Sequence, residues 1–135
     1  MWPFGKNRST KPVEPVSSGG MTAHYDAKLK YWSFQFEGIK FRISGSSFDP
    51  AAFDWAKEAA SVIHSLDDEI RACVLKCLES WPCDKNKAEI LSAGLDEYTE
   101  SKTIGLVFVG DESWGDFGVC VIITDGKIVD AYGGD

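Results

Sequence analysis

Residues 110–118, Gly-Asp-Glu-Ser-Trp-Gly-Asp-Phe-Gly, set three carboxylates and an indole among three glycines. Three chemistries could use such a stretch. A general base needs a nucleophile or second acid within reach, and the chain has no HExxH, GxSxG, P-loop or GxGxxG pattern to supply one. A calcium loop needs glycine at its sixth position and glutamate at its twelfth. Counted from Asp111, those places hold Asp116 and Ile122. A recognition loop fits best, because tryptophan is a frequent anchor of protein interfaces and flanking acids orient a basic partner. Asp111, Glu112, Trp114 and Asp116 are therefore the candidate partner-binding residues. The competing reading is a glycine-rich turn whose indole packs inward, and the exposure of Trp114 separates the two. Two other functions are weighed beside a binding domain. One is a small hydrolase-like enzyme with Glu112 or Asp116 as general base, and the other is a structural or regulatory subunit.

The cysteines, Cys73, Cys77, Cys83 and Cys120, have no second close pair and no histidine at ligand spacing. Cys73 and Cys77 stand one helical turn apart on an apolar stripe, where cysteine behaves as a small hydrophobe, and Cys120 in mid-strand reads the same way. Cys83 alone looks accessible, with Lys85 and Lys87 nearby. His64 closes a helix, where a cation is favourable, and His24 stands apart from any partner. No metal, no cofactor and no catalytic set is expected. The remaining acid pairs, Asp67/Asp68 and Asp96/Glu97, read as caps and solvated loops.

The elements that must position these residues follow from periodicity. In Tyr31–Ile43, Trp32, Phe34 and Phe36 alternate on one run and Ile39, Phe41 and Ile43 on the next, around Glu37-Gly38; this predicts a β-hairpin with one buried face. Asp49 and Pro50 open a helix with an apolar stripe of Phe53, Ala56, Ala60 and Ile63. Ser65 and Asp68 have capping-box spacing ahead of a second helix over about 66–81, whose stripe is Ile70, Cys73, Val74, Cys77, Leu78 and Trp81. Pro82 stops it, and a third, shorter helix is predicted over about 84–93, ended by Gly94. Strands follow at 103–109, 117–124 and 127–132, the last two joined by Asp125-Gly126. The expectation is an α+β domain, residues 21–135, in β-β-α-α-β-β-β order. Its sheet is mostly antiparallel with helices on one face. Residues 1–20, with three prolines and no periodicity, read as a flexible tail.

Charge is unevenly spread. Residues 1–43 hold seven Lys/Arg against three Asp/Glu, and residues 44–135 hold seven against eighteen. An acidic body argues against nucleic acid, whose binders are basic, and suits a basic protein partner. No apolar run approaches the ~20 residues of a membrane span, and the opening residues lack the apolar core of a secretory signal. Reduced thiols and a cytoplasmic location are expected.

Residues 111–121, DESWGDFGVCV, with residues 125–130, DGKIVD, resemble the small bacterial domains found among immunity proteins of polymorphic toxin systems. In those, an acid-and-aromatic loop leads into a Gly-Val strand and then an Asp-Gly turn. Where some such families carry a histidine beside the loop glycine, this chain has Asp116. The resemblance implies a non-enzymatic cytoplasmic binder that blocks a cognate, basic toxin.

Overall fold

The computed structural model describes residues 13–134; residues 1–12 of the expected tail, and Asp135, lie outside the described residues. The chain folds as an α+β domain around an eight-stranded sheet in which every strand neighbours the next in sequence, β1 through β8. All pairings are antiparallel except β4 with β5.

The N-terminal meander comprises β1 (Val16–Ser18), β2 (Met21–Asp26), β3 (Tyr31–Phe36) and β4 (Ile39–Ser44). The β3–β4 hairpin has the expected register, with Phe36 opposite Ile39 across Glu37 and Gly38, both at positive φ. Trp32, Phe34, Ile39 and Phe41 are buried on its inner face. Strands β1 and β2 were not foreseen. Val16–Ser18 falls inside the segment read as a tail, yet pairs with β2 across Gly19 and Gly20, which supply the positive φ of the turn.

Helix α1 spans Ala52–Ser65 and α2 spans Asp67–Cys77. Asp49 accepts from the Ala51 amide (2.9 Å), so Asp49 and Pro50 form the leading turn as expected, although the helix proper begins two residues later. Phe53, Ala56, Ala60 and Ile63 are buried, joined by Ala52 and Ala59. The Ser65–Asp68 capping box does not form: Ser65 Oγ donates to the Val62 carbonyl at 2.9 Å, and α2 starts without a side-chain cap. Helix α2 ends at Cys77 rather than near Trp81, because the Leu78 amide is shared between the Val74 and Leu75 carbonyls and the chain leaves in turns.

The third helix predicted over 84–93 is absent. A 3-10 turn at Lys85–Lys87 leads into β5 (Glu89–Gly94), flanked by β4 and β6, which supply ladder bonds on both sides. A four-residue helix α3 (Tyr98–Ser101) precedes β6 (Thr103–Val109), β7 (Gly118–Thr124) and β8 (Lys127–Gly134). Asp125 and Gly126, both at positive φ, make the last hairpin. Ile104, Leu106, Phe108, Val119, Val121 and Ile123 face the helices and are buried. Helix α1 leans on β3 while α2 crosses β7 and β8, so both helices cover one face of the sheet. Among the described residues no helix is long and apolar enough to cross a membrane.

Candidate functional site

The 110–118 stretch connects β6 to β7, and its indole points inward. Trp114 is 1% exposed, and its Nε1–H donates to the carbonyl oxygen of Asp84 (2.9 Å). The Asp84 amide donates in turn to Ser113 Oγ (2.8 Å), and that hydroxyl donates to Asp111 Oδ1. The Phe117 ring stacks on Trp81 with centroids 4.4 Å apart. The loop therefore fastens the exit of α2 to the end of the sheet. Its glycines have specific reasons. A Cβ on Gly110 would collide with the Trp114 indole, and Gly115 sits at φ +59°. Gly133 of β8 leaves room for Phe117 in the same way.

Of the four partner-binding candidates, Trp114 is thus corrected: a sealed, hydrogen-bonded indole offers no contact area to a partner. Asp111, Glu112 and Asp116 are exposed and share one end of the sheet. Ser113's hydroxyl and amide, donating to Asp111, hold its carboxyl below the usual aspartate range.

The face of the sheet away from the helices carries a second feature, which the sequence did not show. On β6 and β7 the residues between the buried ones look outward: Thr103, Gly105, Val107 and Val109, and Gly118, Cys120, Ile122 and Thr124, all half-buried. Gly94 lies opposite Gly105, and Gly105 opposite Ile122. Two neighbouring residues without side chains lower the floor of the face. The result is a hollow of about 280 Å³, which meets at Val107 and Cys120 a second hollow of about 520 Å³ lined by Gly110, Gly115, Gly118 and Gly134. Asp96 and Glu97, with Arg42 beside them, border the first and Asp116 borders the second. Together they form a largely apolar trough with carboxylates at both ends. Tyr132, opposite Cys120 on β8 and 52% exposed, forms its outer wall. Contact with Cys120 pushes the Tyr132 phenol above its ordinary value, with burial and the Asp130 charge adding to the effect.

The chain matches no protein-family model, no curated protein and no solved structure.

The other sequence candidates are dispersed. Cys120, expected in the core, lines the trough instead, because β7 is apolar on both faces. Cys83 is half-buried against the core, no more open than Cys73 or Cys77. Burial, with Cys73 and Asp130 adding, pushes the Cys77 thiol up and away from the thiolate. His64 ends α1 as expected, with Nε2 3.5 Å from the Glu37 carboxylate. His24 belongs to a shallow polar hollow of about 410 Å³ with Ser33, Gln35 and Lys40, on the β2–β4 half of the open face. Among the described residues, no group of three or more His, Cys, Asp or Glu side chains could hold a metal ion. Asp96 is committed to structure, accepting from the Ser44 amide (2.6 Å) and hydroxyl (3.0 Å).

Proposed function

We propose that this chain is a protein-binding domain that holds a basic partner over the helix-free face of β5–β8. Asp116 supplies orienting charge at its border, and Asp111 and Glu112, exposed in the same loop, add to the negative charge at that end of the sheet. The observation that carries this reading is the trough itself, an apolar floor over Val107 and Cys120 ending in Asp96, Glu97 and a single cation, Arg42, on one side and in Asp116 on the other, so that carboxylates outnumber cations at its border. Apolar ground rimmed by charge is the usual anatomy of an interface, and its acidic ends complement a cationic partner. Trp114 enters only indirectly, by holding the acidic loop in place. The resemblance of residues 111–121 and 125–130 to immunity proteins makes a cognate toxin, neutralised in the cytoplasm, the partner class of choice.

The test is co-expression with the toxin-like product of an adjacent gene, followed by measurement of binding kinetics. A Cβ on Gly105 would meet no atom within 4 Å, so a side chain there can project into the first hollow, and Gly105→Val, with its fold checked by circular dichroism, narrows that part of the trough. Affinity should fall by roughly tenfold or more, about 1.4 kcal/mol. Replacing Asp111, Glu112 and Asp116 together with Ala should slow association and flatten its salt dependence. A complex indifferent to both sets of changes would sink the proposal.

A further inference from the structure

On the opposite side of the sheet, α2, the Lys85–Lys87 turn and β6 enclose a separate cleft of about 200 Å³. We infer that this cleft is a binding site for a compact organic carboxylate, a small acid with an aliphatic or aromatic body. Its floor is Phe108 and Val74, each 2% exposed, so it reaches the hydrophobic core. Leu75, 48% exposed, forms an apolar lip. Its polar lining is Arg71, Lys85 and Asn86, with no carboxylate. In a chain of net charge −7, and against the trough across the sheet with its bordering carboxylates, that composition is selective.

Helical spacing makes the arrangement. Arg71, Val74 and Leu75 are i, i+3 and i+4 on α2 and share a face. Arg71 is oriented by Asp67, which takes its Nε–H at 3.1–3.2 Å and leaves the outer guanidinium nitrogens for a ligand. Lys85 is half-buried, and among the described residues it has no ion-pair partner. Two cations and an amide above an apolar floor recognise one anionic head on a hydrophobic body. The volume, below the ~300–1,000 Å³ of drug-sized pockets, limits that body to a single ring or a short branched chain. The site is independent of the protein-binding trough, which lies across the sheet.

The experiment titrates the ¹⁵N-labelled protein with benzoate, phenylacetate and 4-methylpentanoate, and in parallel with the corresponding uncharged amides. The expected result is saturable shifts confined to residues 71–75, 85–88 and 108 for the acids, with Kd values of roughly 0.1–5 mM for ligands of this size. Lys85→Gln and Arg71→Gln should each weaken binding about tenfold, and Lys85→Arg should retain it. Absence of saturation by about 20 mM would overturn the inference. Equal binding of the amides, shifts centred elsewhere, or a loss in Lys85→Arg as complete as in Lys85→Gln would overturn it as well.

Discussion

Trp114 and Trp81 are two indoles near one loop with different roles. Trp114 is fully buried and its Nε1 donates to Asp84, whereas Trp81 is half-buried, its Nε1 has no hydrogen-bond partner and the ring contributes by stacking on Phe117. Trp114→Phe both opens space in the core and strands a carbonyl that was bonded. Urea unfolding should therefore show Trp114→Phe to be more destabilising than Trp81→Phe by about 1–3 kcal/mol. Equal losses would overturn this ranking. The inward turn of Trp114 was not legible in the sequence, because its acceptor is a backbone carbonyl thirty residues earlier in the chain. Side-chain type announced an anchor, and a distant main-chain group decided which surface it would anchor.

Between elements, the Glu58 carboxylate ties α1 to α3. It accepts from the Tyr98 hydroxyl at 2.6 Å and lies 3.7 Å from Lys102 Nζ. The Tyr98 bond and then the Lys102 charge lower Glu58 from its ordinary 4.5. A depressed carboxylate contributes stability above its unfolded pKa and loses it as pH falls through the folded value. Wild-type protein should thus lose more stability than Glu58→Gln between about pH 5 and pH 3, read as the shift in urea midpoint. Parallel curves would show the pair to be inert. The same scale shows where pattern reading works. Strands β3 and β4 were legible because strict alternation and the Glu37-Gly38 turn name both strand and register, and β6 and β7 because they are short β-branched apolar runs bounded by turn residues. Strand β5 was not. Its register slips between Ile90 and Ser92, so Leu91 breaks the alternation and stands 51% exposed, and Ala88, Glu89, Leu91 and Ala93 read as helix formers. Ladder bonds from two neighbouring strands outweigh that local preference. The trough escaped notice because apolar residues on both faces of β6 and β7 hide which face the helices leave open.

At the scale of the whole molecule, a sheet in sequential order leaves β1 and β8 as its edges among the described residues. Exposed edges invite pairing with another chain. Strand β8 counters this in two ways: its register shifts beside Ile122 and Ile123, and Asp130 Oδ1 takes the Ala131 amide at 2.9 Å. Asp130→Val should increase self-association several-fold, for protection worth on the order of 1 kcal/mol. Sedimentation velocity across a concentration series reads this directly, and identical profiles would assign Asp130 no protective role. The same sequential order has a consequence for how the molecule comes together. Within the sheet the two meanders join along the short parallel pairing of Phe41 with Ala93 and Arg42 with Gly94, reinforced by the Ser44–Asp96 bonds and, between helices, by Glu58 with Tyr98 and Lys102. Helix α1 leans on the first meander and α2 on the second. Leu66, between the helices, thus divides the chain into two halves, each a four-stranded meander with its own helix. Supersecondary units of this kind often open and close cooperatively, and it is only where the two are joined along β4 and β5 that the sheet is continuous and the trough beside Gly94 has its floor.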